Sequence, residues 1–322
     1  MKFFKDERSG AVVMLLAAAF GFLLCNLGWA ELASFKEEAW PLVSQLGMAL
    51  FFALIGLELL AEFDDGLFKN RLSIAVPALA ALAGVVIPGA VYVALALLLG
   101  GGSLANGWPI VTATDVSFAL MVFSLFAKGL PSGLRAFLLS FAVIDDIFAS
   151  IALAVSFARL DALIPLISTV GSIAIALLLR RSQRETVVRF FSPFVAFLVL
   201  PVFGFFAMQI RFDAGAVFAG SGAVLIPLIF SRPLTKWVGV FVGATVGQRL
   251  MPQNAKLDLS TADLLSVSSL AGIGFTVSLL AADLAFGVES QLFSAAAAIT
   301  VVAAMVSAGL AAIALRARRA AK

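Results

Sequence analysis

Apolar runs long enough to cross a bilayer follow one another almost without pause from residue 10 to residue 315. A bilayer core holds no water to satisfy exposed peptide groups, so such a chain must fold as helices or as a closed barrel. Runs of about 20 apolar residues, rather than short alternating segments, select helices. The runs near 10–29, 42–61, 72–99, 107–127, 133–158, 162–179, 190–210, 215–248, 262–286 and 291–315 predict about ten transmembrane helices. The fold class is therefore an all-α polytopic membrane protein, a single domain over residues 1–322. The eighth run is long for one span, and 215–230 is a candidate for a separate short one.

Charge placement tests that count. Ten spans put both termini on one side, and that side collects seventeen of the 22 Lys and Arg residues. The other side has only Lys36, Arg159 and Arg211, while Arg232 and Lys236 fall inside the eighth run. Positive charge gathers in cytoplasmic loops, so both termini are expected in the cytoplasm of a multi-pass inner-membrane protein. With 62% hydrophobic and 13% charged residues, the net charge of +3 is no nucleic-acid signal. The first run is too long for a signal-peptide core and shows no cleavage site, so it is expected to be retained. The single cysteine, Cys25, excludes an intramolecular disulfide. Histidine is absent, so any pH response near neutrality must come from carboxylates or lysines. No phosphate-binding loop, metal-thiolate spacing or nucleophile–base set is present, which points away from an enzyme and from a resident cofactor.

Against this apolar background, Asp145 and Asp146 stand side by side in the middle of the fifth run. A central Asp costs roughly 2.5–3.5 kcal/mol to insert, and a second like charge adds repulsion. A pair held at that cost binds something: a cation, a proton or a fixed positive partner. Gluing helices together is the weaker reading, since Ser, Thr or Asn do that at lower cost. Being consecutive, the two side chains project about 100° apart, so one faces a site while the other faces a neighbouring helix. Asp115, beside Thr112 and Thr114, offers oxygen ligands for a hard cation such as sodium, or a cap for a half-helix. Arg232 is expected either to pair with one of the buried carboxylates or to snorkel to the surface. Glu58, Glu62, Asp64 and Asp65 read as a solvated helix end or as a cation funnel whose protonation reports pH.

Two runs are interrupted. The fourth carries Pro109 and then Thr112–Asp115, and the ninth carries Gly272, Gly274 and Thr276. Each interruption sits in the middle of a triplet of spans, about 72–158 and about 215–315, and two spans separate the triplets. Triplets so placed have opposite topology, the inverted-repeat plan in which paired broken helices build a midplane ion site.

The segments Thr112–Leu120, Ala142–Asp146 and Gly272–Ser278, with Gly56-Leu57-Glu58 and Leu284-Ala285-Phe286, resemble those of NhaA-type sodium/proton antiporters over nearly the whole chain. The resemblance implies exchange of sodium or lithium for protons, with Asp146 as main ion and proton carrier and Asp145 as its assistant. It implies that Thr114 and Asp115 stabilise the half-helix ends and contact the ion, and that Glu58 and Glu62 sense pH. Arg232 stands where the family has the lysine that pairs with the first Asp, judged by the Pro-Leu after it. An arginine there would hold Asp145 ionised, leave Asp146 as the sole titrating carrier and make exchange one-for-one. The join from the sixth span through Arg180–Arg189 to Pro193 is too short for the usual twelve spans and omits two. The resemblance implies a homodimer, yet the loop after the first span leaves little room for the β-hairpin through which family members pair. Two other functions are weighed: a sodium-coupled organic-anion symporter, which the acidic pair argues against, and a non-transporting homologue, against which the buried charges speak.

Overall fold

The computed structural model describes residues 7–27, 31–65, 74–99, 102–157, 160–209, 214–218, 220–252, 257–288 and 290–321. Every regular element among them is helical. In chain order these are α1 (Glu7–Asn26), α2 (Glu31–Asp65), α3 (Ala75–Leu98), a 3-10 stretch (Gly102–Val111), α4 (Val116–Phe126), α5 (Ser132–Phe157) and α6 (Leu160–Leu178). There follow α7 (Arg181–Phe194), a π-helical turn (Val195–Val199), α8 (Leu200–Ala207), α9 (Ala214–Phe218), α10 (Gly220–Phe230) and α11 (Arg232–Leu250). The last elements are α12 (Thr261–Ser268), a second 3-10 turn (Ser269–Gly272), α13 (Thr276–Phe286) and α14 (Gln291–Ala320).

Six of the described helical segments are long and apolar enough to cross a membrane. A seventh forms if the bent pair Thr261–Gly272 and Thr276–Phe286, which meet at 46°, counts as one span. Val12–Asn26 and Leu166–Leu178 are shorter apolar helices. Large apolar side chains point outward along these elements, among them Leu16, Leu98, Val155, Leu178 and Ile313. That belt suits lipid rather than water.

α7 differs from its neighbours. It buries none of its residues, and its exposed face carries the Arg181–Glu185 ion pair at 3.2 Å. It runs on through the π turn into α8, so the seventh element begins at Arg181, about two and a half turns before the apolar run does. Pro201, at the start of α8, removes a donor from the ladder just where the π turn lies.

The most extensive helix contacts fall into two sets. One gathers α1, α2, α6 and α8; the other gathers α3, α5, α10, α11, α12, α13 and α14. Within the second, a glycine stripe on α11 sets the spacing. Gly239, Gly243 and Gly247 recur at every fourth position and face the backbone of α3 at Ala83, Leu79 and Val76. A Cβ at Gly243 would collide with the Leu79 carbonyl. Small residues at such intervals let two membrane helices approach backbone to backbone. We expect Gly243→Val to cost about 1–3 kcal/mol through overpacking, read as a lowered melting temperature in detergent. Gly171→Ala, where nothing lies within 4 Å of the added carbon, should change nothing. Equal melting temperatures for Gly243→Val and wild type would refute the close approach.

Candidate functional site

The glycine stripe continues, one turn earlier on the same face of α11, into Lys236. This side chain is wholly buried, and its Nζ donates to Asp145 Oδ2 at 2.7 Å. The same ammonium donates to the backbone carbonyl of Thr112. Asp145 is itself wholly buried on α5; its other oxygen, Oδ1, faces Gly84, and Thr114 approaches the same carboxylate through its side chain and backbone. Asp146 is also wholly buried, its backbone carbonyl accepts from Ser150 Oγ at 2.8 Å, and its charge acts on the Lys236 ammonium.

Thr112 belongs to a break. After the 3-10 stretch the chain leaves the helix at residues 112–115 and re-enters it at Val116. Thr112 bonds back to Pro109 through both its N–H and its hydroxyl, closing the first half. A ten-residue 3-10 run is unusual, and such runs mark hinges or strain. The second break leaves residues 273–275 outside the helices, between the 3-10 turn and α13.

The two breaks cross and are stitched together. The Asp115 N–H donates to the Ile273 carbonyl at 2.7 Å, and Thr114 Oγ1 donates to the Ala271 carbonyl at 2.8 Å. The Asp115 carboxylate then serves two helix starts. Oδ1 accepts from the Phe118 N–H of α4 at 3.3 Å; Oδ2 accepts from Thr276 Oγ1 at 3.1 Å and from its N–H at 3.4 Å at the start of α13. Both helices aim their positive ends at the crossing, and a carboxylate there stabilises each by about 0.3–1 kcal/mol, up to about 2 when partly buried. Gly274 is required at this point: a Cβ would strike the Ala113 carbonyl and lie 3.0 Å from both Arg232 Nη1 and Ser278 Oγ.

Arg232 corrects an expectation. It is wholly buried, but its guanidinium donates to Ser278 Oγ at 3.0 Å and to the Thr300 carbonyl at 3.3 Å, not to a carboxylate. It also does not snorkel to the surface. The reason is register. Arg232 opens α11 at the level of the second break, and the aspartates of α5 lie one turn further along, about 5.4 Å away, where Lys236 is. The pairing thus falls to a lysine that the sequence reading left out of the site, so the premise for one-for-one exchange is lost. Lys236 had left a signal: it shares the helical face of Gly239 and Gly243, and that stripe marks the buried side.

Thr114 is brought to Asp145, Asp146 follows Asp145 on α5 with its charge acting on Lys236, and Asp115 bonds the starts of both half-helices at the crossing. The side chains of Glu58, Glu62, Asp64 and Asp65 lie outside the described residues. Among the described residues no three His, Cys, Asp or Glu side chains gather into a metal cage. What the crossing offers is two carboxylates, hydroxyls and carbonyls loosened by unwinding, a donor set for a hard monovalent cation. With three aspartates and two basic groups buried in one region, the site carries more negative than positive groups when all are ionised.

Sequence comparison gives this arrangement a setting. The sequence model of a family described as Na+/H+ antiporter 1 matches residues 1–192 and 181–315. The two matches overlap within α7. A protein of Streptomyces coelicolor named Na(+)/H(+) antiporter NhaA 3 is 32% identical over 388 residues, covering 98% of this chain and 80% of that protein. The Na(+)/H(+) antiporter NhaA of Streptomyces avermitilis is 32% identical over 354 residues, covering 88% of this chain and 74% of the relative. A Mycolicibacterium gilvum protein, Na(+)/H(+) antiporter NhaA 2, is 30% identical over 363 residues, covering 89% and 80%. These alignments are longer than the chain, so each relative carries residues for which the chain has no counterpart.

Proposed function

The chain belongs to the Na+/H+ antiporter 1 family, and on that premise we propose that it exchanges sodium or lithium for protons across a bacterial inner membrane. The observation that carries the reading is the Lys236–Asp145 pair, with Asp146 beside it, where two interrupted helices cross. Asp146 is the principal carrier and Asp145 its neighbour; a proton and a sodium ion compete for the same oxygens. Exchange then follows from competition, because the site crosses only when protonated or metallated. Thr114 and the loosened carbonyls of the breaks supply neutral ligands, and Asp115 holds the two half-helices in place as the ion comes and goes.

The passage is built from ten passes: six long helices, the bent α12–α13 pair, the shorter α1 and α6, and the 3-10 stretch with α4. Two inverted triplets, about 72–158 and about 215–315, each contribute one broken helix. This plan has two helices fewer than the twelve-span type, the short join through Arg180–Arg189 standing where they would lie. Both termini lie in the cytoplasm, at the end that carries Arg180, Arg181, Arg249, Arg316 and Arg319.

Everted membrane vesicles test the exchange directly. After respiration has acidified the lumen, sodium chloride or lithium chloride is expected to collapse the pH gradient, while choline chloride leaves it intact. A gradient indifferent to both alkali cations would overturn the reading.

A further inference from the structure

α14 ends in two arginines that reach inward, Arg316 and Arg318, two positions apart and therefore about 200° apart around the helix. Each holds a different broken helix. Arg318 Nε donates to Asp263 Oδ1 at 2.8 Å and its Nη2 donates to Ser260 Oγ at 3.0 Å, so the guanidinium grips the start of α12. What it grips is already fixed. Ser260 Oγ accepts from the Asp263 N–H at 3.2 Å, and Asp263 Oδ2 accepts from the Ser260 N–H at 3.1 Å, a reciprocal cap on α12. Asp263 is 3% exposed, so its pair with Arg318 is not one that water screens. Arg316 turns the other way, and its guanidinium lies over the ring of Phe126, the last residue of α4, 4.7 Å from the centroid. Further back along α14, Ser307 meets the second break: a Cβ on Gly272 would lie 2.9 Å from its Oγ. Nine residues of helix, about 14 Å, join that contact to Arg316.

The other ends of these two half-helices are joined to each other. α4 starts at the crossing and the α12 segment finishes there, where the Asp115 N–H and Thr114 Oγ1 bond the Ile273 and Ala271 carbonyls. α4, the crossing, α12 and the end of α14 therefore form a closed frame with Arg316 and Arg318 as two of its links. We propose that Arg316 and Arg318 are positioning residues for the ion site: they close this frame, so that α4 and α12 keep one spacing and the carbonyls and hydroxyls at the crossing keep theirs. Neither arginine touches the ion. This deepens the exchange reading and rests on it, since the ion whose ligands are held in place is sodium. A cation's fit depends on the size of its cavity and on how far its oxygen ligands can give. A frame open at either link lets the half-helix ends relax, and sodium is then held less well, while the aspartates on α5 stay where they are.

Arg316→Ala, Arg318→Ala and the double substitution, each in the full chain in proteoliposomes, separate the frame from two ordinary structural contacts. Half-saturating sodium should rise about threefold to tenfold in each single variant, more in Arg318→Ala, with maximal rate near that of wild type. Arg318→Lys keeps a charge beside Asp263 but gives up the forked grip, and it should fall between wild type and Arg318→Ala. The sign excludes a surface-charge effect, because removing a positive charge favours the approach of a cation and would lower half-saturating sodium. Arg319→Ala removes an exposed charge from the same turn and should not raise it. The double variant should be no worse than Arg318→Ala, since a frame open at one link is already open. Its melting temperature should nevertheless fall by the sum of the two single falls, because the contacts have separate partners. Half-saturating sodium unmoved or lowered in both single variants, or raised in the double variant by the product of the single effects, would overturn the frame, even with exchange itself intact. Loss of sodium-dependent proton flux in the unaltered protein is a separate outcome, and it would overturn the exchange reading on which the frame rests.

Discussion

Asp146→Asn is expected to reduce sodium-driven proton flux in proteoliposomes to background while the protein stays folded and inserted. The amide matches the carboxylate in shape but neither titrates nor supplies a charge to the ion. A unit charge about 4 Å from a cation is worth about 4 kcal/mol at the effective dielectric of a protein, or roughly a thousandfold in affinity. Folding should not suffer in proportion. Asp146 is wholly buried beside a second carboxylate on the same helix, and removing one of two neighbouring like charges relieves desolvation and repulsion. A melting temperature equal to or above that of wild type, together with absent flux, is the expected pair of results. Wild-type flux in this variant would sink the carrier assignment. Asp145→Asn should be milder in turnover and marked in sodium affinity, because its charge is already shared with Lys236 at 2.7 Å.

The two breaks were legible because they are written in local residue types. Thr114 and Asp115 carry hydroxyl and carboxylate groups able to close freed backbone ends, and Gly274 permits the close crossing that any Cβ would block. Their positions in the chain needed no knowledge of neighbours. The identity of the cation at Asp145 did depend on neighbours. It is set by how α11 slides along α3, and that register comes from Gly239, Gly243 and Gly247 pressing on Ala83, Leu79 and Val76. A sequence displays the glycine stripe but not the helix it meets, and the Pro-Leu after Arg232 drew the assignment one turn too early. The same limit hid the Asp263–Arg318 pair, whose partners are 55 residues apart. It also hid the start of α7, where hydropathy registers only the apolar half of a helix whose first turns lie exposed.

The substitution of lysine for arginine as the partner of Asp145 changes the expected charge balance of the cycle. A buried lysine can give up its proton, whereas an arginine effectively cannot. When sodium settles between Asp145 and Asp146, Lys236 loses the carboxylate that holds its ammonium and is free to release its proton along with that of Asp146. More than one proton then leaves for each sodium that enters, so net charge crosses the membrane. A potassium diffusion potential, positive inside and with no initial gradient of sodium or protons, should therefore drive sodium into proteoliposomes. Lys236→Arg should abolish that accumulation, because the guanidinium stays charged and leaves Asp146 as the sole titrating group. Sodium uptake driven by an imposed pH gradient should persist in this variant, at a half-saturating sodium raised about tenfold or more by a positive charge that no longer leaves. Arg232→Lys, by contrast, should leave voltage-driven uptake intact, since residue 232 bonds Ser278 and Thr300 rather than a carboxylate. Voltage-driven accumulation in Lys236→Arg equal to that of wild type would show that the second proton comes from elsewhere, and would remove Lys236 from the transport cycle.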